Sequence, residues 1–353
     1  MKKVKLLLVV LLLLVLMLSF SGVSCAKENE GIKNDANIAL NGEKKDVVIA
    51  VPDGAPALAI AKMIYDNAQL EGYNITYKVI EGGATAISAA VINNEVDFLV
   101  APTNLGAILH NKLKPNGTQF KLIANVFNSL LYIVGTDNTD NTVKNLEDLK
   151  GKVVYNIGEG ATPDLTFTYV LSKKGIQYYK KENPKGEEIG IQYVTDGPTA
   201  IGLLKKGTAQ FAILGEPAVT TVINANIASE LFSLNELWNG ATGTTNGFPQ
   251  ASFFGIGDAL DDLTLLNWIS LKLEESVNWV HENPNDTEVA LKNKNAWSSP
   301  VKINAELLER TNMAYISSAN AKVAIDAYLK VLFDKDRKTV GGTLPGADFY
   351  ISN

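Results

Sequence analysis

Gly83-Ala84-Thr85-Ala86-Ile87 and Gly197-Pro198-Thr199-Ala200-Ile201 are two versions of one phrase, and the fold follows from how each continues. Each opens a helix pattern and reaches a polar turn, Asn93-Asn94-Glu95 in the first copy and Lys206-Gly207-Thr208 in the second. Each then enters a short apolar strand, through Phe98 or Phe211. The strands end in similar turns, Ala101-Pro102-Thr103 and Gly215-Glu216-Pro217, and a further helix follows each. A strand-loop-helix unit written twice predicts two lobes of like build that face each other.

Outward from the repeat, β-rich runs alternate with helical periodicity. Strands are expected at 47–51, 74–79, 97–101, 120–126, 131–135, 152–155, 189–194, 211–214 and 252–256, with helices at 57–70, 86–93, 164–174, 199–206 and 218–226. That alternation argues for α/β lobes with mostly parallel sheets flanked by helices. After Ile256 the pattern turns to helices alone, at 263–282, 286–292, 305–313 and 321–333, which reads as a helical C-terminal extension. Gly341-Gly342 and Pro345-Gly346 then break the chain into an irregular tail, 334–353.

The N-terminus is set aside before the fold is considered. Lys2, Lys3 and Lys5 precede an apolar run from Leu6 to Leu18, shorter than the ~20 residues of a membrane-crossing helix. Residues 1–24 therefore read as a signal peptide. Cys25 is the one cysteine in 353 residues and follows Ser24 at the expected cut. Its surroundings resemble a bacterial lipobox, in which this cysteine is lipidated, although Gly22 stands where leucine is usual. Ordinary cleavage nearby would instead leave a free thiol. Residues 25–45 are too polar to offset ordering entropy and read as a flexible tether. A net charge of −6 argues against a nucleic-acid partner, because phosphate binding calls for basic patches.

In order along the chain stand Val51-Pro52-Asp53-Gly54-Ala55-Pro56, Gly82-Gly83-Ala84-Thr85, Glu95-Val96-Asp97-Phe98, Leu149-Lys150-Gly151-Lys152 and Gly215-Glu216-Pro217. Together they resemble the substrate-binding proteins of the nitrate/sulfonate/taurine and thiamine-precursor group, which are type II periplasmic binding proteins. The resemblance runs from about Val47 to Phe333. It implies two lobes joined by crossover strands, with ligand between them. Lobe 1 would comprise 47–135 and 248–333, lobe 2 would be 136–247, and the crossings would fall near 131–137 and 249–256. It also implies an ABC importer as the setting, with a permease and its ATPase as partners, a lipid anchor in the membrane, and a monomeric protein.

In open α/β sheets, ligands bind where strand ends lead into helices. The expected ligand-binding residues are therefore Asp53, Gly54 and Ala55 after the first strand, and Gly83, Ala84 and Thr85 after the second. To these are added Thr103, Asn128, Gly160, Ala161, Thr162, Thr199 and Glu216. Glycine admits close approach, opening helical N–H groups donate, and threonine adds a hydroxyl. Thr85, Thr162 and Thr199 could equally be helix caps. Glu216 could accept from an amine or ring N–H, or be held by the following helix dipole; Asp53 has the same two readings. The only arginines, Arg310 and Arg337, lie far downstream, which favours a neutral or cationic nitrogen-bearing solute over an oxyanion. A sulfonate- or nitrate-type binder, and a ligand-sensing lipoprotein, remain alternatives. Phe127, Phe248 and Phe253 could stack on a ring or sit in the core. No enzyme, cofactor or metal site is expected: His110 and His281 are the only histidines, without metal-ligand spacing. The related pyrimidine-forming synthases need a reactive cysteine, and here Cys25 is consumed by export.

Overall fold

β-Branched runs such as Val47-Val48-Ile49-Ala50-Val51 are largely buried on both faces, the mark of central parallel strands covered by helices. The computed structural model describes residues 44–352, apart from 137–142 and 182. In chain order come β1 (Lys45–Pro52), a 3-10 turn (Ala55–Ile60) running into α1 (Ala61–Tyr65), β2 (Tyr73–Ile80), α2 (Gly83–Ile92), β3 (Phe98–Pro102), α3 (Thr103–Leu113) and β4 (Phe120–Phe127). The chain then enters β5 (Leu131–Gly135), β6 (Val153–Ile157), α4 (Thr162–Lys173), β7 (Tyr178–Lys180), β8 (Ile189–Val194), α5 (Gly197–Lys205), β9 (Phe211–Gly215), α6 (Ala218–Asn224), β10 (Ser229–Ser233) and α7 (Leu234–Thr242). It returns through β11 (Ala251–Ile256), α8 (Leu263–Glu282), α9 (Pro284–Asn293), α10 (Ala305–Arg310), β12 (Met313–Ser317) and α11 (Ser318–Lys335).

Among the described residues the strands form two six-stranded sheets, ordered β12-β4-β11-β3-β1-β2 and β10-β5-β9-β6-β8-β7. The parallel trio β3-β1-β2 is matched by β9-β6-β8, so the sequence repeat is a repeat of topology. β11 runs antiparallel between β3 and β4, and β5 runs antiparallel against β9. Two α/β lobes result, as expected, but the first sheet is mixed rather than mostly parallel, with three antiparallel pairings against two parallel ones.

Three boundaries differ from expectation. Leu131–Gly135 pairs with β9 and β10, so it belongs to the second sheet, and the first crossing is the short link 128–130. Two apolar extended runs lie almost end to end here, and their pattern carries no mark of the sheet change. The second crossing precedes β11, and Gln250 ties the two together: its N–H donates to Phe127 O at 2.9 Å, and its Oε1 accepts from Leu130 N at 3.1 Å. The C-terminal region is not helical throughout, because β12 joins the first sheet beside β4. Nor does 334–353 hang free: Val340, Phe349 and Tyr350 are buried, and Ile351 N–H donates to Leu122 O. The signal peptide, Cys25 and nearly all of the tether lie outside the described residues, while β1 begins at Lys45.

One apolar cluster runs through both lobes. Its bridge is aromatic: Trp238 of α7 lies 5.8 Å edge-on to Tyr328 of α11, and Phe248 stacks on Tyr328 at 5.5 Å.

Candidate functional site

The C-terminal ends of the two parallel trios meet. A methyl group on Gly54, after β1, would stand 4.0 Å from Pro217 Cδ, after β9. After β3 and β6, Thr162 Oγ1 donates to Asn104 Oδ1 at 3.3 Å. The β1 loop thus faces the β9 turn and the β3 loop faces the β6 loop, with the Gly83 and Gly197 turns on the flanks. This interlobe seam is the candidate site.

Helix N-termini supply its donors. α4 starts after Ala161 and α3 after Pro102, and no described side chain caps either. α2 starts after Gly82, held at φ +100°, also without a side-chain cap. Opening N–H groups of these helices lack intrahelical partners, and each end carries the positive pole of the helix dipole. Capping does not account for the three threonines, since the cap positions are Gly82, Ala161 and Asp196. Thr162 is buried and points across to Asn104. Gly83, Ala84 and Thr85 are exposed at one rim, with Gly160 and Ala161 exposed before α4. Thr199 is exposed on α5, and its N–H donates to Asp196 Oδ1 at 2.8 Å.

Glu216 is not the open acceptor its position suggested. Arg310 Nε donates to Glu216 Oε1 at 2.6 Å, and Thr220 donates to both of its carboxylate oxygens. Burial pushes the Glu216 carboxyl above the usual range, against the pull of Arg310 and Thr220, while Glu216 helps to hold Arg310 protonated. Arg310, taken from sequence as remote, is therefore an interlobe residue, and the argument for a cationic ligand loses its carboxylate. Asp53 is likewise engaged, accepting from the N–H and hydroxyl of Ser298 after α9. Thr103 is buried against Ser252, Oγ to Oγ at 2.9 Å. Asn128 sits at the crossing, its N–H donating to Asn312 O at 3.2 Å. Gly54 and Ala55 are buried at the seam. Phe127, Phe248 and Phe253 are all core residues at 0 % exposure.

Asn104, Arg310, Tyr328 and Lys335 were not foreseen. Asn104 directly follows the Ala101-Pro102-Thr103 turn, a local signal that could have marked it. The other three reach the seam from the returning C-terminal segment, where nothing local marks them. Lys335 ends α11 on the first lobe, and its ammonium donates to Thr168 of α4 on the second.

No family model matches the chain, and no curated protein does. Solved structures match its fold. An ABC transporter protein from Parabacteroides distasonis superposes with a TM-score of 0.71 at 21 % identity, over 87 % of this chain and 99 % of that one. The periplasmic aliphatic sulphonate binding protein of Escherichia coli gives 0.61 at 13 % identity, over 87 % and 96 %. The ligand binding component of an ABC-type import system from Staphylococcus aureus gives 0.59 at 11 % identity, over 88 % and 97 %. At such identities the likeness is one of architecture: the chain has the two-lobed fold of periplasmic binding proteins.

Proposed function

We propose that this chain is the extracytoplasmic solute-binding lipoprotein of an ABC importer, anchored through Cys25 and acting as a monomer. It captures one small polar molecule between its lobes and hands it to a membrane permease driven by an ATPase. Within the fold, the motif order supports the nitrate/sulfonate/taurine and thiamine-precursor group. The observation that carries the reading is the meeting of two helix N-termini, α3 from one lobe and α4 from the other, at the Asn104–Thr162 contact. Donors on both sides of a hinge let a solute favour the closed form, because a ligand shifts an equilibrium only through contacts that differ between states. The chemistry is binding rather than turnover: Glu216 and Asp53 are occupied by protein partners, which leaves neither poised as a general base. Native mass spectrometry of the full chain, gently extracted and then denatured, tests this. A stoichiometric small molecule released unchanged supports it. A chemically altered product, or a protein that takes up nothing from a broad solute library, overturns it.

A further inference from the structure

Tyr169, Trp238 and Tyr328 form a chain of rings that crosses from one lobe to the other. Trp238 of α7 lies 5.0 Å from Tyr169 of α4, both on the second lobe, and 5.8 Å from Tyr328 of α11 on the first. Trp238 and Tyr328 are buried, while Tyr169 is half-buried. Beside this chain a groove of about 290 Å³ separates α4 and α7 from α11. It is not part of the seam. The α4 residue nearest the seam that lines it, Tyr169, stands about 10 Å along the helix from Thr162, at a rise of about 1.5 Å per residue.

Small side chains keep the groove open. Ala324 and Ala327, on one face of α11, are exposed and line it. Protein interiors fill such spaces, but here the alanines leave room over two buried rings. Ligand pockets run from about 300 to about 1,000 Å³, so this groove has the size for a single ring. Its walls favour an aromatic one, because ring pairs gain affinity beyond the area they bury.

The mouth supplies a polar handle. Among the described residues, Lys173 is the one charged side chain that lines the groove, and its ammonium sits 5.5 Å from the centre of the Tyr169 ring. An ammonium carries three donors and no acceptor. It repels a cationic guest and offers a hydrogen bond to an oxygen. Lys173 is exposed, so water screens its charge, and an anion gains little there over a neutral acceptor.

We infer that the groove between α4, α7 and α11 is a second binding site, separate from the solute cleft, for a small neutral aromatic bearing one oxygen, of the phenol or aryl alcohol type. Tyr169 and Trp238 belong to one lobe, and Ala324, Ala327 and Tyr328 to the other, so an occupant touches both. The site therefore braces the closed lobes from outside the cleft, because a ligand favours the state in which its contacts are complete. It does so whatever solute the cleft takes.

The test uses the full chain and three probes: phenol, cyclohexanol and protonated benzylamine. Binding is titrated calorimetrically, and paired spin labels, one on each lobe, report closure. Wild type is expected to bind phenol saturably, one per chain, and to shift towards the closed form as it does. Cyclohexanol, with the oxygen but no aromatic ring, should bind about 2- to 10-fold more weakly, and benzylamine should not bind. Ala327→Leu fills the groove and should weaken phenol about 5- to 100-fold. Lys173→Met removes the donor and should weaken it about 2- to 10-fold. Both positions are exposed, so the unfolding midpoints should stay at the wild-type value. No saturable phenol binding, or equal affinity in wild type and Ala327→Leu, would overturn the inference. Cyclohexanol or benzylamine binding as tightly as phenol would do the same, as would phenol binding that leaves closure unchanged. None of these outcomes bears on the solute-binding reading, which fails only by its own mass-spectrometric test.

Discussion

Glu216 shows what a single residue can and cannot disclose. Its place after an apolar strand and before proline marked it from sequence as special, and it is. Its partner, Arg310, lies 94 positions later, and no local pattern joins the two. The carboxylate side chain is fully buried and the guanidinium nearly so. Removing one member of such a pair strands the other, a loss of about 3–5 kcal/mol. Arg310→Met should therefore lower the denaturant midpoint sharply, whereas the double variant Arg310→Met/Glu216→Gln should recover most of it. The pH dependence has a definite sign. Burial raises the Glu216 pKa in the folded state, so the folded form binds the proton more tightly than the unfolded chain does. The Arg310→Met penalty should shrink as pH falls through that raised pKa, as melts across acidic pH would measure. A penalty independent of pH would mean that Glu216 finds another partner. Asp53 and the three threonines teach the same lesson: residue type and loop placement were legible, while their partners depend on distant segments.

At the scale of elements, the central strands were read nearly in full, because burial on both faces writes continuous apolar runs into the sequence. The strands that were missed, β7, β10 and β12, all lie at sheet edges. β7 and β10 have no buried residue and β12 has one, so the apolar signature of a strand is nearly absent from them. The cost of misplacing an element shows at α3, which must come close to the sheet to bring Asn104 to the seam. Gly106 permits that approach: a β-carbon there would stand 2.1 Å from Phe254 Cζ, a ring wedged between Phe120 and Phe349. Gly106→Ala must therefore shift either the helix or the ring, and overpacking of this kind costs about 1–3 kcal/mol. Thermal melts should show the loss, and solute affinity should fall too, because α3 carries Asn104. A variant as stable as wild type with unchanged affinity would show that α3 has slack.

Across the whole molecule, the two lobes and their repeat were legible, but the contacts that close one lobe on the other were not. The C-terminal segment illustrates this, since its glycines and prolines read as a loose end. Val340, Phe349 and Tyr350 nevertheless complete the first lobe's core, each buried apolar side chain contributing about 1.5–3 kcal/mol. Deleting 337–353 should remove most of the stability of a typical domain, about 5–15 kcal/mol, and leave little folded protein by circular dichroism. Lys335, just before that segment, links closure to pH. Its ammonium leans on Thr168 of the other lobe, where desolvation, with help from Lys180 and against Asp164, pulls its pKa down to about 8. In an open form the same group would return to its ordinary value near ~10.4. Between those two values the closed form holds fewer protons than the open form, so rising pH favours closure; below about pH 7 both forms are protonated and the effect vanishes. Paired spin labels, one on each lobe, should report a growing closed population from about pH 8 to 10 in wild type. They should report no such growth in Lys335→Met, where the titrating group is gone. Equal slopes in the two proteins would assign the pH response to another group and reduce Lys335 to a passive contact.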